Sequence, residues 1–265
     1  VLESVLKGMP TAVVGSGPRL DKNIELLKDF PGAVIACDGA AKTLSAVGVW
    51  MDAVVSVDPR PSVIAEMLDY PDNVFQRLVL SVYSDPDVAR IWKGRKFYMS
   101  TIHEGTQFHD SILPELFPGM PGLFASGNVG NTAVQVASWM GAGKIVLVGQ
   151  DYGYTGKKMR CDGYRNLGRN LWEKIILTDQ EETDRLNQRT GKVEVDGIQT
   201  YHAFTSYRDT LYKMVKEMQL DVVNATEGGI LTSLPCKDLC EVIEELKILG
   251  HSAEKGRALL MSAIG

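Results

Sequence analysis

Four stretches carry residue types that do chemistry. Gly15-Ser16-Gly17-Pro18 is a tight turn that lets another group approach the backbone closely and opens a helix. Amides left free there make an anion site, helped by the helix dipole. Pro18 suits a first helical position, where its missing N–H costs little. Asp38 lies about twenty residues further on, where a carboxylate accepts from ribose hydroxyls. Asp58 and Asp151 are carboxylates that act as general bases or hold Mg²⁺ against phosphates. Asn128, Gly130 and Asn131, with Gln150, add small residues that leave amides open and side-chain amides that both donate and accept. Each has a plainer alternative. Strand-end turns use Gly, Asp and Asn without any ligand, and Asn or Thr caps helices.

These residues share a position. Apolar runs at 11–14, 33–37, 52–57, 77–82, 144–148 and 221–224 read as strands, and 96–99 as a further one. They are continuous rather than alternating, the pattern of strands buried on both faces of a parallel sheet. The runs break at their C-terminal ends into Gly15-Ser-Gly-Pro, Asp38-Gly, Asp58-Pro, Tyr83-Ser-Asp, Gly149-Gln-Asp and Asn224-Ala-Thr-Glu. In a parallel sheet those ends form one rim, and ligands bind where the strand order reverses. Helices are expected at 20–30, 40–47, 62–68, 133–140, 205–218, 236–249 and 253–263. Residues 100–122, with His103, Glu104, Gln107, His109 and Asp110, read as an irregular excursion or a flap over the site. Lys157–Gly191 reads as an inserted loop plus exposed helix. Its Lys157, Lys158, Arg160, Arg165, Arg169 and Lys174 make either a positive lid over phosphates or a solvated face balanced by nearby acids.

The chain has 265 residues, 45% hydrophobic and 23% charged, enough for one large α/β domain. A net charge of −5 argues against a general nucleic-acid surface. Nothing approaches the roughly 20 apolar residues of a membrane span, and Val1–Pro10 lacks the apolar core of a signal peptide. Four cysteines without metal-ligand spacing fit a reducing, cytoplasmic setting. The glycine turn lacks the spacing of the dinucleotide fingerprint, since position 20 is Leu, and no Gly-Lys-Ser/Thr follows to make a phosphate-binding P-loop. No Ser-His-Asp elbow and no zinc-type His cluster is visible.

The blocks Val13–Asp21, Ile35–Ala40, Asp52–Pro59, Gly127–Thr132, Leu147–Tyr152 and Asn224–Gly229 together resemble the MptE-like domain. That domain is shared by archaeal 6-hydroxymethylpterin diphosphokinases and by the motility-associated-factor (Maf) glycosyltransferases of bacterial flagellin. The resemblance implies a Rossmann-like three-layer α/β domain with a mostly parallel sheet, spanning 10–245. The polar segment near 157–191 is inserted in it and a helical tail occupies 246–265. It implies that Gly15, Ser16, Gly17 and Pro18 hold a nucleotide or diphosphate, with Asp38, Asp58, Asn128, Gly130, Asn131, Gln150 and Asp151 around it. Val57-Asp58-Pro59-Arg60 and Gly149–Thr155 resemble the glycosyltransferase branch rather than the more acidic diphosphokinase pattern. The histidine expected soon after the latter block is absent from Lys157–Asp162, so its role is not carried over.

Three functions follow. The first is a Maf-like sugar transferase using an activated nucleotide sugar, of which CMP-nonulosonic acids are one class, with Asp58 and Asp151 near the reacting centre. The second is a diphosphokinase moving diphosphate from ATP to a pterin-like alcohol, for which Mg²⁺ is the implied cofactor. The third is a nucleotide-binding module with no chemistry of its own. Donor, acceptor and oligomeric state are open at this stage.

Overall fold

In the computed structural model, residues 2–59, 76–102, 112–124, 126–156, 158–165 and 192–252 are described, together with 254 and 258. The helices expected at 62–68 and 253–263, the flap residues 103–110 and most of the 157–191 insertion lie outside the described residues.

The apolar runs form an eight-stranded sheet: β1 (Thr11–Val14), β2 (Ala33–Cys37), β3 (Ala53–Ser56), β4 (Arg77–Ser81), β5 (Arg95–Ile102), β6 (Gly122–Phe124), β7 (Ile145–Val148) and β10 (Val222–Asn224). Its order is β10-β7-β1-β2-β3-β4-β5-β6. Every pairing in it is parallel. Alternate residues feed two separate cores. Val14, Val34, Ala36, Val54 and Val148 join one, while Val13, Ile35, Val55, Ile145 and Leu147 join the other. This is why the runs are continuously apolar: a strand covered on both faces has no polar face to show.

The first core is closed by the segment Leu20–Asp29, α2 (Asp38–Ala46) and α8 (Leu239–Ile248), through Leu20, Leu27, Leu44, Val242 and Leu246. The second is closed by α5 (Val129–Trp139) and α7 (His202–Glu217), through Val134, Ala137, Leu211 and Met214. Leu2, Leu6 and Met9, ahead of the expected start at residue 10, are buried in this second core. Their segment is tied to the end of α5 by Ser4 and Leu6 N–H bonds to the Trp139 and Met140 carbonyls. The result is the three-layer, mostly parallel α/β architecture the sequence predicts.

The differences from expectation are local. The helix expected over 20–30 is one α-turn, α1 (Leu20–Asn23), followed by a 3₁₀ stretch, Ile24–Asp29. It ends at Phe30, which is extended (ψ 121°) because the following Pro31 disfavours helix there. The described residues of 100–122 are more regular than expected. β5 continues to Ile102, the turn α4 (Leu113–Leu116) follows, and β6 adds a parallel edge strand. The remaining short helices are α3 (Pro86–Ile91) and α6 (Asp162–Arg165). A separate antiparallel hairpin, β8 (Lys192–Val195) and β9 (Ile198–Tyr201), precedes α7. Its two-residue loop is Asp196-Gly197, both at positive φ (52° and 77°), the backbone that a tight hairpin requires. Among the described residues no helix is long and apolar enough to cross a membrane.

Candidate functional site

The strand order reverses between β1 and β7. From β1 the chain steps outward through β2 to β6, then returns to β7 on the other side of β1. The crevice that such a reversal opens lies at the C-terminal ends of these two strands. The glycine turn and Gly149-Gln150-Asp151 therefore face each other, as neighbours in register: Val14 pairs with Val148.

The contact is tight. The Gly15 N–H donates to the Val148 carbonyl and the Gly17 N–H to the Gly149 carbonyl, both at 2.9 Å. A Cβ on Gly17 would overlap Asp151 Oδ2 and stand 2.7 Å from the Gly149 carbonyl oxygen. Glycine is required here by close approach rather than by an unusual φ. The Asp151 carboxylate, 2% exposed, accepts from the Arg19 N–H at 3.2 Å, just where α1 begins. It thus occupies the helix start that a phosphate takes in other glycine turns. Burial pushes the Asp151 carboxyl up to about 7, against the lowering effect of the Arg19 amide and charge.

A carboxyl raised by folding stabilises the folded state fully below its unfolded value, 3.8, and loses that contribution as pH rises through about 7. Asp151→Asn keeps an acceptor for Arg19 and removes the charge. Its stability relative to the parent is expected to improve between pH 4 and pH 8, by roughly 4 kcal/mol at most. Urea unfolding of both proteins across that range is the check, and parallel stability–pH curves would refute it.

Gln150 is a wedge. It is 4% exposed, its side-chain amide packs against Gly15 and Gly130, and its Nε2 lies 3.8 Å from Cys37 Sγ. Its backbone N–H donates to Thr226 Oγ1 at 3.1 Å. Asn128 and Asn131 sit at the start of α5. Two of the amides at that helix start are used by the helix itself: Asn128 is the N-cap, accepting from the Asn131 N–H at 2.8 Å, and its carbonyl accepts from the Thr132 N–H. Asn131 is fully buried. Its amide donates to the Ser126 and Tyr207 carbonyls and accepts from the Tyr152 hydroxyl at 2.7 Å. Asn128 Oδ1 is thus a helix cap, and Gly130 is the small residue that lets Gln150 close against the helix.

Two carboxylates flank the turn on the β2–β3 side. Asp38 opens α2, 5% exposed, with Oδ1 accepting from the Gly39 N–H (2.8 Å) and Oδ2 from the Ser56 hydroxyl (2.9 Å). Burial raises its carboxyl above the ordinary range. The Ser56 and Gly39 bonds oppose that rise, the neighbouring Asp58 charge adds to it, and Arg160 opposes it. Asp58 itself is half-buried, so of the three site carboxylates it keeps the most solvent access.

The sequence held less of what closes the rim. Tyr152 adopts a left-handed backbone (φ 48°), uncommon for a bulky residue, and its carbonyl accepts from the Thr200 hydroxyl of the hairpin. The Tyr154 N–H donates to the Gln199 carbonyl, and Tyr154, Tyr201 and Phe204 form an aromatic cluster. Gln150, Asp151 and Tyr152 are thereby fixed by a hairpin nearly fifty residues away. The segment Thr155–Arg165 then crosses back over the turn. The Cys161 N–H donates to the Ser16 carbonyl (3.0 Å), and Arg160 Nη1 reaches Ser16 Oγ (3.3 Å).

Residues 1–157 match the family described as 6-hydroxymethylpterin diphosphokinase MptE-like. Among solved structures, the Maf glycosyltransferase from Magnetospirillum magneticum AMB-1 superposes with a TM-score of 0.65 at 16% identity. The match covers 99% of this chain and 38% of that one, so the chain spans well under half the length of that protein. The sialyltransferase CstII from Campylobacter jejuni, in complex with cytidine-5'-monophosphate as a substrate analogue, aligns over 87% of this chain and 85% of its own. At 10% identity and a TM-score of 0.39 that likeness carries no argument. No curated protein matches the sequence.

Proposed function

The chain belongs to the MptE-like family, and on that premise we propose that it is a nucleotide-dependent transferase, a Maf-like glycosyltransferase drawing on an activated nucleotide sugar such as a CMP-sugar. The observation that supports this most is the division of labour on the rim. Asp38 and Asp151 are 5% and 2% exposed, whereas Asp58 stands beside Asp38 half-buried. An accessible carboxylate on the rim that holds the switch-point crevice is what an acceptor hydroxyl needs for deprotonation while the nucleotide leaves. Asp58 is then the general base. Asp151, the other residue expected near the reacting centre, positions the turn. The shared fold with a Maf glycosyltransferase agrees with this reading.

The diphosphokinase reading is favoured by the family's own description. It implies Mg²⁺, for which Asp58 is the one half-buried carboxylate of the three, since Asp38 and Asp151 are almost fully buried. The two readings separate in a thermal-shift series with CMP, UDP and ATP, each with and without Mg²⁺, followed by an assay for CMP release from CMP-sugars. A ligand at a hundredfold excess over its Kd adds about 2.7 kcal/mol, roughly 5–10 °C for a chain of this size. Stabilisation by CMP without Mg²⁺, then CMP release, is the expected result. Mg²⁺-dependent stabilisation by ATP alone would replace the proposal with the diphosphokinase. Binding without turnover of any donor would leave a binding module.

A further inference from the structure

A phosphate at this site has little backbone to bind. The Gly15, Gly17 and Arg19 amides already donate inside the protein, and Pro18 has none to give. Among the described residues, Ser16 keeps the one amide of the turn without an acceptor. The helix-dipole end is filled by the Asp151 carboxylate. The turn that looks from sequence like an amide cradle is thus closed to an anion except at Ser16. Asp38 and Asp58 beside it add negative charge. At this turn a cation is the natural partner for a nucleotide phosphate.

We propose that Arg160, from the segment after β7, is the phosphate-binding residue of this site, acting together with Ser16. This rests on the nucleotide reading above. The guanidinium is half-buried, 3.3 Å from Ser16 Oγ, and its charge is felt by Asp38 and Cys37 at the end of β2. It is also held in place. The Tyr164 ring lies 5.3 Å beneath it. The fully buried Cys161 packs by Thr43 of α2, and its N–H is bonded to the Ser16 carbonyl. The Asp162 N–H donates to the Asp21 carboxylate at 2.9 Å, and Lys158 bridges Asp162 and Asp21. Attachments to the glycine turn, α1 and α2 fix a cation over one serine, which is preorganisation for an anion rather than a solvated charge. A planar guanidinium also matches two phosphate oxygens at once.

The test compares the parent with Arg160→Gln and Arg160→Lys by calorimetry, using CMP, ATP and inorganic pyrophosphate against cytidine and adenosine. Melting temperatures without ligand establish that each variant folds. Arg160→Gln is expected to bind the phosphate-bearing probes about tenfold to a hundredfold more weakly, the effect of losing a charged hydrogen-bond partner, with nucleoside affinity unchanged. Arg160→Lys is expected to recover part of the loss as a point charge. If Arg160 were only a structural strut, nucleoside and nucleotide would weaken together, and that result overturns the proposal. Unchanged nucleotide affinity in Arg160→Gln overturns it too, while leaving the transferase reading intact. A parent protein that binds neither nucleotides nor pyrophosphate overturns both.

Discussion

Asp58→Asn is expected to lower kcat by about 10²–10⁴-fold while nucleotide affinity changes little, the usual cost of removing a general base from a site that still binds. Accessibility singles out Asp58 among the three carboxylates. Asp38 and Asp151 are almost fully buried, at 5% and 2% exposed, so neither meets an acceptor hydroxyl arriving from solvent. Asp58 follows β3 directly, on the same rim as the glycine turn, half-open to solvent. The change also has a second readout. Asp58 raises its neighbour Asp38, so the Asp38 carboxyl is expected to fall toward the ordinary range in Asp58→Asn, an effect carboxyl NMR titration follows directly. Single-turnover rates with a CMP-sugar give the first result. An Asp58→Asn protein with parental turnover would remove Asp58 from the mechanism, and equal losses in kcat and affinity would make it a binding residue instead.

The sheet was legible because burial on both faces leaves a one-dimensional trace. Val13 and Val14 serve opposite cores, yet both must be apolar, so the run is visible without knowing its neighbours. The strand ends were legible because each apolar run breaks into polar residues, at Asp38, Asp58 and Asp151. β8 and β9 had a local signal as well, Asp196-Gly197 between the alternating Val193, Val195, Ile198 and Thr200. Neither strand is among the runs expected from the sequence, because the hairpin alternates where the sheet strands are continuously apolar and stands apart from that sheet. β6, only Gly122–Phe124, is too short to show a period.

The site's wiring is another matter. That Asp151 takes the α1 start depends on which strand lies beside β1, and no spacing within 130 residues of sequence states it. Arg160 and Ser16 are 144 residues apart, so sequence offers Arg160 only as one cation among several in Lys157–Gly191. Asn131 shows the converse. Its amide type fits a ligand site, but the Ser126, Tyr207 and Tyr152 groups that converge on it use it as a buried staple between α5, α7 and the segment after β7. Residue type names the bonds a side chain makes, and tertiary neighbours decide with whom.

The close approach of the two strand-end loops yields the largest stability effect. Gly17→Ala is expected to cost about 3 kcal/mol or more, since its Cβ meets Asp151 Oδ2 and the Gly149 carbonyl, in a region with no open space. Gly17 is not at positive φ, so the cost is overlap, not backbone strain. That distinction is testable by a double-mutant cycle. Asp151→Ala alone leaves the Arg19 N–H without its acceptor and is itself destabilising. Combined with Gly17→Ala it clears the carboxylate from the new methyl group and leaves only the 2.7 Å approach to the Gly149 carbonyl. The two changes are therefore expected to be less than additive, with a coupling of about 1–3 kcal/mol. Urea unfolding of the four proteins measures it. Strict additivity would show that the turn and the Asp151 carboxylate do not share the space the structure gives them. It would also return the start of α1 to an incoming phosphate, because the anion that fills it would no longer be Asp151.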